Sequence, residues 1–438
     1  MADVRPFRAL RFDPALDLGS LICPPYDVIS PDLQHDLHRR SPYNVVRLEF
    51  GLKESPNEFY DPYQRAAETL RDWLTRGVLR LETTPSFYVH DQYFPHQGRQ
   101  YCRRAIFARL RLEPWEAGIV WPHERTLGPP KEDRLRLLRA SRCNTSPVFA
   151  LYTDVANGIG NLLASATIKE PLVHFGDPDG QQHALWRVDD IAACLSLAAA
   201  FAAETLYVAD GHHRYETALA YRDERKAETG AWTGEEPENF CLIALTAAND
   251  PGLLVLPIHR LVSAKVPLEN LMSQLLPVFD VEVAPSLEGL LKEMARRGRY
   301  TATFGLIAAD SPDFYLLTLV DRAALTEIVP SDAPAAWLSL DTAIFHYAIL
   351  RHGLNIDEEA IADGEIVHYS ERAEEALEQV RQGRYSYAFL LNPTPPAKVL
   401  AVAEAGHRLP QKSTYFYPKV PAGLVLNLLD LPVRQAGA

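Results

Sequence analysis

The residues best suited to chemistry lie together in one stretch of the chain, ADGHHRYETAL, from Ala209 to Leu219. Apolar residues precede it and recur at helical spacing after it, so the pattern predicts a strand, a turn at Gly211 and a helix. The first amides of a helix lack intrahelical partners and carry about half a positive charge, which favours a bound anion. Because His212, His213 and Arg214 share this turn, the sequence predicts a phosphate-binding corner.

Asp210, at the end of the predicted strand, has two possible roles. Its carboxylate could cap the helix, or it could hold a magnesium ion that bridges to a phosphate. A further alternative places a transition metal on His212 and Glu216, which are at positions i and i+4 and would share one face of the helix. That arrangement would fit a metal-dependent hydrolase.

A second informative stretch, WPHERTLGPPKEDRL, begins at Trp121. His123 and Glu124 precede two prolines in a predicted loop, and either of them could supply a general base. A helix is predicted to begin near Lys131. A cation at the start of a helix is unfavourable because it opposes the helix dipole, so the sequence suggests that Lys131 contacts an anion. Further along the chain, Arg260 lies at a predicted strand end and could serve the same phosphate.

Asp27 lies in the loop PPYDVIS, whose prolines favour an extended backbone. It either caps a helix that begins near Pro31 or contacts a ligand. Near the end of the chain, GHRLPQKS lacks the second glycine of a Walker-type phosphate loop and is followed by strand-like residues. Candidates there to return to the active cleft are Lys412, Ser413, Thr414 and Lys419.

The composition sets broad limits on the protein. A chain of 438 residues exceeds the size at which one core stops growing, so we expect two domains, 1–260 and 261–438, the second of α/β type. The formal charge of -13 argues against nucleic acid as a partner. Five scattered cysteines and a charged N-terminus favour a cytoplasmic location. The most apolar stretch, Ile191–Ala203, is too short to span a membrane.

Local patterns also predict individual elements. Val45–Phe50 is expected to form a strand, and Pro62–Arg76 an amphipathic helix. Ser86–Tyr93 and Arg103–Leu112 have enough β-branched and aromatic residues for a sheet.

Five motifs together resemble the bacterial and archaeal family called domain of unknown function 1015: PPYDVIS, HERT, ADGHHRYETAL, LPIHR and PQKSTYFYPK. The corner itself is similar to the GCHRYEA box of sulfiredoxins and the GERR box of ParB proteins, in which the turn cradles nucleotide phosphates. The resemblance implies a ParB/sulfiredoxin-like nucleotide-binding core followed by a second α/β domain. The same wider group includes a free-serine kinase that uses ADP or ATP.

The residues and the resemblance lead us to predict a nucleotide-dependent phosphotransferase acting on a small hydroxyl compound. The turn Gly211–Arg214, with Lys131 and Arg260, would bind the phosphates of ATP or ADP, while magnesium on Asp210 offsets charge. Glu124 would take the proton of the attacking hydroxyl. Free L-serine as the acceptor is implied by the resemblance alone.

Two alternatives to this prediction stay open, a ParB-like nucleotide switch without turnover and the metal-dependent hydrolase. Should Glu124 not be the base, Asp27 is the next candidate. Sulfinic-acid reduction is not expected, because His212 stands where sulfiredoxins have their reactive cysteine.

Overall fold

The computed structural model of the protein describes residues 1–52, 61–124, 126, 128–320, 322–326, 328–329, 337–357, 360–361, 366–409 and 412–429. Within these ranges the fold is mixed α/β, as the sequence predicts. Three residues of the quoted motifs, Arg125, Pro410 and Gln411, lie outside the described residues.

The chain divides into two compact units. The first comprises Met1–Pro122, Thr126–Leu253 and Pro418–Ala438, and the second comprises His123–Arg125 and Leu254–Tyr417. The predicted domains, 1–260 and 261–438, stay a prediction, since a compact unit need not fold on its own.

The first unit contains a large mixed sheet. The strands of this unit are β1 (Val4–Arg5), β2 (Leu10–Phe12), β3 (Leu79–Leu81), β4 (Phe87–His96), β5 (Arg99–Arg111), β6 (Val120–Pro122), β7 (Cys143–Asn144), β8 (Val148–Tyr152), β9 (Val173–Gly176), β10 (Gln182–Val188), β11 (Leu206–Asp210) and β12 (Phe240–Ala247), and β2 pairs with β3 outside the large sheet. The main sheet has the order β6-β11-β8-β12-β5-β4-β10-β9, and β1 pairs with β5. The strands predicted at Ser86–Tyr93 and Arg103–Leu112 are thus confirmed as the hairpin β4–β5.

The first unit also contains several helices. They are α1 (Pro31–Arg40), α2 (Val46–Glu49), α3 (Pro62–Thr75), α4 (Gly128–Ser141), α5 (Gly158–Ala166), α6 (Ile191–Ala202) and α7 (His212–Glu228). In α7, Tyr215 and Ala218 are buried in the same apolar cluster as Leu206 and Val208 of β11. This packing fixes the N-terminus of α7 at the end of β11, so the predicted strand, turn and helix are confirmed.

The strand predicted at Val45–Phe50 is wrong, because Val46–Glu49 forms the short helix α2. Asn44 is fully buried and accepts from the Val46 amide at 3.0 Å, which favours a turn there. Val45, Val46 and Leu48 then pack together in the core beside α3. Tertiary burial and the Asn44 side chain therefore override the β propensity of the two valines.

The second unit contains a six-stranded antiparallel sheet. This unit contains the strands β13 (Leu254–Leu256), β14 (His259–Val262), β15 (Phe279–Ala284), β16 (Thr303–Ala308), β17 (Phe314–Leu319), β18 (Val367–Ser370), β19 (Tyr387–Leu390) and β20 (Tyr415–Tyr417). The sheet order is β15-β17-β16-β19-β14-β18, and β13 pairs with β20. Its helical segments are α8 (Leu268–Leu275), α9 (Leu287–Arg297), α10 (Asp341–Ile344), the π-helical Phe345–Gly353, α11 (Ala373–Arg381) and α12 (Pro396–Glu404). The last described strand, β21 (Asn427–Leu428), belongs to the first unit, where it pairs with β7.

None of the helices formed by the described residues is both long and apolar enough to cross a bilayer. The five cysteines are free thiols, and four of them are buried.

Helix α1 is capped by Ser30, whose side chain accepts from the Leu33 amide at 3.3 Å. The alternative in which Asp27 caps this helix is therefore wrong, and Asp27 is an exposed residue in the turn Tyr26–Val28. We expect Ser30→Ala to lower the free energy of unfolding by about 1 kcal/mol, the usual contribution of an N-cap. Asp27→Asn should leave it within about 0.5 kcal/mol. Urea titrations of the two variants measure this, and a larger loss in Asp27→Asn would contradict the assignment of the cap.

Candidate functional site

The corner between β11 and α7 is shaped by Gly211. The register of β11 shifts between Val208 and Asp210, and Gly211 follows with a φ of +88°, which glycine adopts without steric cost. A Cβ atom at this position would meet the Arg214 Nε at 2.8 Å. The guanidinium therefore lies directly against the turn, and a side chain at position 211 would displace it.

Asp210 binds two cations at this corner. Its Oδ1 accepts from the Lys419 ammonium and its Oδ2 accepts from Arg214 Nη2, and all three side chains are about nine-tenths buried. Burial raises the pKa of the Asp210 carboxyl, but Lys419 and Arg214 outweigh that effect and hold the pKa well below its ordinary value. Gly211 is the N-cap of α7, which has no side-chain capping bond, so Asp210 does not cap the helix.

Arg214 is only partly satisfied by its neighbours. Its Nη1 donates to the Pro147 carbonyl and its Nη2 donates to Asp210, but its buried Nε has no hydrogen-bond partner among the described residues. An unpaired buried donor costs about 1 to 3 kcal/mol unless a ligand or water satisfies it. The corner thus presents a charged group that an anion would stabilise.

Glu216, one helical turn further along α7, accepts three hydrogen bonds from described residues. Lys131 Nζ and Thr126 Oγ1 donate to Oε2 at 3.0 and 2.5 Å, and Trp115 Nε1 donates to Oε1 at 3.1 Å. Burial raises the pKa of Glu216, but the bonds from Thr126, Lys131 and Trp115 together lower it. Lys131, at the start of α4, is therefore paired with the carboxylate of Glu216.

The transition-metal alternative on His212 and Glu216 fits this geometry poorly, since both oxygens of Glu216 are already bound. The part of the chain that the structure describes contains no group of three or more histidine, cysteine or acidic side chains arranged to hold a metal ion. His212 itself is buried at the first position of α7.

His213 and Asp27 lie within electrostatic reach of one another. Burial lowers the pKa of His213, and Asp27 and Glu216 oppose that shift. Asp27 also acts on the pKa of Arg214 and of Lys419, in both cases by favouring the charged form. The loop PPYDVIS therefore places an exposed carboxylate within electrostatic reach of the corner, and burial favours the neutral form of His213.

Arg103 of β5 is a part of this environment that sequence reasoning missed. It is fully buried, with its guanidinium 5.1 Å from the centre of the Phe149 ring. Burial lowers its pKa to about 10, although Asp250 and Asp210 favour the charged form. Its segment predicts only a strand, and nothing in the local pattern marks this arginine among its neighbours.

In the second unit, His123 is buried and its Nε2 lies 3.0 Å from Thr414 Oγ1. The His123 ring also meets the Phe416 ring edge to face. Ser413 is buried as well, and its carbonyl accepts from Thr394 Oγ1 at 3.2 Å. The structure thus brings together His123 with the predicted late residues Ser413 and Thr414.

Glu124 and Arg260 bind the backbone amide and the backbone carbonyl of Lys412, respectively. Glu124 Oε1 accepts from the Lys412 amide at 3.0 Å, and Arg260 Nη2 donates to the Lys412 carbonyl at 2.9 Å. Lys412 has a φ of +56° and an exposed side chain. Within the second unit, Glu124 and Arg260 therefore lie together at Lys412.

The low pKa of Glu216 has a testable consequence for acid stability. A carboxyl with a depressed folded-state pKa stabilises the protein above its ordinary pKa, and that contribution is lost as the pH falls. Between about pH 5 and pH 3, Glu216→Gln should lose less unfolding free energy than the wild-type protein does. Urea titrations across this range measure the difference. Parallel curves for the two proteins would show that the three hydrogen bonds do not stabilise the ionised form.

Comparison with known proteins gives one family and several distant folds. The family model described as "Protein of unknown function (DUF1015)" matches residues 4–343. No curated protein matches the chain significantly.

Three solved structures illustrate the distant matches. A variant of free serine kinase in complex with ADP is 15% identical, with 68% of this chain and 84% of that chain covered and a TM-score of 0.34. A conserved hypothetical protein from Pyrococcus furiosus is 15% identical, with 69% and 90% covered and a TM-score of 0.33. SbnI with a C-terminal truncation, from Staphylococcus aureus, is 10% identical, with 75% and 90% covered and a TM-score of 0.36. Likeness at this level carries no argument about activity.

Proposed function

We propose that this chain, which belongs to the DUF1015 family of proteins of unknown function, binds the phosphates of a nucleotide at the Gly211 corner. We further propose that it transfers a phosphoryl group from ATP or ADP to a small hydroxyl compound. The observation that carries the proposal is the buried Arg214, whose Nε lies against Gly211 without a protein partner among the described residues. A phosphate oxygen would satisfy that donor with a charge-assisted hydrogen bond and would also meet the first amides of α7.

His213, in the first turn of α7, and Lys131, in α4, supply further hydrogen-bond donors near the corner. Lys131 pairs with Glu216, and Glu216 in turn affects the pKa of His213. A neutral imidazole can donate one hydrogen bond to a phosphate without adding charge, whereas Lys131 supplies a full positive charge. Phosphoryl transfer depends mainly on such positioning and charge compensation, so these residues suit that reaction.

For the proton acceptor we propose Asp27 ahead of Glu124. Asp27 is exposed, lies in the same unit as the corner, and acts electrostatically on His213, Arg214 and Lys419. Glu124 is less exposed than Asp27, and its carboxylate accepts from the Lys412 amide. A general base must reach the hydroxyl proton, and Asp27 has the more accessible carboxylate.

Magnesium remains the proposed counter-ion of the nucleotide, since Mg²⁺ in such sites commonly binds through substrate phosphates and one or two carboxylates. Asp210, the predicted ligand, fits this role poorly because both of its oxygens accept from buried cations. Metal binding there would have to break two charge-assisted bonds.

Free L-serine stays the proposed acceptor on the sequence resemblance, and a nucleotide switch without turnover stays the second candidate. The two are separated by measuring nucleotide turnover with magnesium, with and without L-serine and a panel of other small hydroxyl compounds. Turnover that depends on a hydroxyl compound supports the kinase. Tight nucleotide binding without any turnover would leave the switch.

His213 offers a direct test of the phosphate contact. His213→Ala should weaken ADP binding by about 1 to 1.5 kcal/mol, the range for one neutral hydrogen bond. His174→Ala is the matched control, since His174 is exposed on β9 of the same unit. Calorimetric titration with ADP measures both variants. Equal affinity in His213→Ala and the control would remove His213 from the site.

A further inference from the structure

The C-terminal return of the chain places a buried lysine on Asp210, and this lysine has no part in the function described so far. We propose that Lys419 is a phosphate-contacting residue of the corner, held in place by Asp210, and that it supplies the positive charge first attributed to magnesium on that carboxylate. The inference rests on the proposed nucleotide site. It reassigns Asp210 from a metal ligand to a positioning residue.

The position of Lys419 is fixed by a buried network on β4 and β5. Arg103 donates to the Pro418 carbonyl and to Gln92 Oε1, both at 2.5 Å, and Gln92 Nε2 lies 3.4 Å from the Lys419 carbonyl. Arg103 and Gln92 are each 1% exposed, and they are direct partners across the hairpin. The carbonyls of Pro418 and Lys419 are therefore both bound by buried side chains.

Two cations share the Asp210 carboxylate. Lys419 and Arg214 both bind this one carboxylate, and Arg103 is buried close enough for Asp210 to affect its pKa. Burial lowers the pKa of Lys419, but Asp210 and Asp27 outweigh it, so the ammonium stays charged. Glu49 and Asp250 also favour the charged forms of Arg214 and Arg103, respectively. A phosphate at the corner would add an anionic acceptor that Lys419 and Arg214 share.

In the transfer step, the acceptor oxygen forms a bond to the terminal phosphorus while the bond to the leaving nucleotide oxygen breaks. The leaving oxygen keeps the electron pair, and the hydroxyl proton moves to the proposed base, Asp27. Lys419 donates hydrogen bonds to non-bridging oxygens and is unchanged by the reaction. Its effect is to neutralise the charge that spreads over those oxygens in a loose transition state.

The test is calorimetric titration of the full-length protein with ADP and with adenosine, in the presence of EDTA. Lys419→Gln should weaken ADP binding by about 10- to 100-fold, the effect of one charge-assisted hydrogen bond, and leave adenosine binding unchanged. Lys226→Gln is the matched control, because Lys226 is exposed near the end of α7. If the wild-type protein binds ADP and Lys419→Gln binds it with equal affinity, the inference is overturned. Failure of the wild-type protein to bind ADP at all would instead overturn the proposed function.

If Lys419→Gln does not fold, Asp210→Asn tests whether Asp210 positions the lysine or binds a metal. Its side-chain oxygen can still accept from one cation. If Asp210 is a positioning residue, magnesium should increase the affinity of Asp210→Asn for ADP by the same factor as it does for the wild-type protein. Titrations with ADP in EDTA and with ADP in excess magnesium give that factor for each protein. Loss of the magnesium effect in Asp210→Asn alone would identify Asp210 as a metal ligand and refute the positioning role.

Discussion

Asp27→Asn should lower the rate of phosphoryl transfer by about 10²- to 10⁴-fold, the usual contribution of a general base, while ADP affinity stays close to normal. The carboxylate is exposed beside the corner, and Ser30, not Asp27, caps the following helix. The substitution therefore removes a proton acceptor without removing a structural bond. Single-turnover kinetics and calorimetry on the same preparation separate the rate from the affinity.

Glu124→Gln is the comparison for this experiment. A glutamine oxygen can still accept from the Lys412 amide, so the local structure of the second unit should persist. We expect turnover within about threefold of the wild-type rate, because Glu124 is not the proposed base. A large loss in Glu124→Gln with a normal rate in Asp27→Asn would return the role of base to Glu124.

Gly211→Val should abolish measurable nucleotide binding and lower the free energy of unfolding by about 2 to 4 kcal/mol. The φ of +88° is unfavourable for a β-branched residue, and the new Cβ would lie 2.8 Å from Arg214 Nε. The guanidinium would have to leave its bonds to Pro147 and Asp210. Urea unfolding and ADP titration measure the two losses.

Gly77→Val separates backbone strain from displacement of Arg214. Gly77 also has a positive φ, +72°, but no described atom lies within 4 Å of a Cβ built there. We expect it to lose about 1 to 2 kcal/mol of stability from strain alone and to bind ADP normally. Nucleotide binding by Gly211→Val at wild-type affinity would show that the corner does not contact the ligand.

The sequence was sufficient to predict the parts of the site that depend on local pattern. The strand, turn and helix around Gly211 follow from an apolar run, a glycine and helical periodicity, and the structure confirms them. The helix predicted at Pro62–Arg76 is confirmed as Pro62–Thr75 for the same reason, since Asp61 caps it and proline occupies its first turn.

Other features depend on contacts between distant parts of the chain and could not be predicted this way. The two valines after Asn44 favour a strand by propensity, yet their burial beside α3 makes that segment helical. Lys419 was only one of several late candidates, because its contact with Asp210 requires the buried bonds from Arg103 and Gln92. No spacing rule links residues so far apart in sequence.

The measurement that tests the account most directly is the phosphate dependence of nucleotide binding in Arg214→Ala. Calorimetry should show that the wild-type protein binds ATP and ADP more tightly than adenosine, and that Arg214→Ala loses about 1.5 to 3 kcal/mol of binding free energy for ADP and none for adenosine. That result would place the phosphates at the Gly211 corner. Wild-type affinities that do not depend on phosphate, or an Arg214→Ala protein that is folded and binds ADP normally, would contradict it.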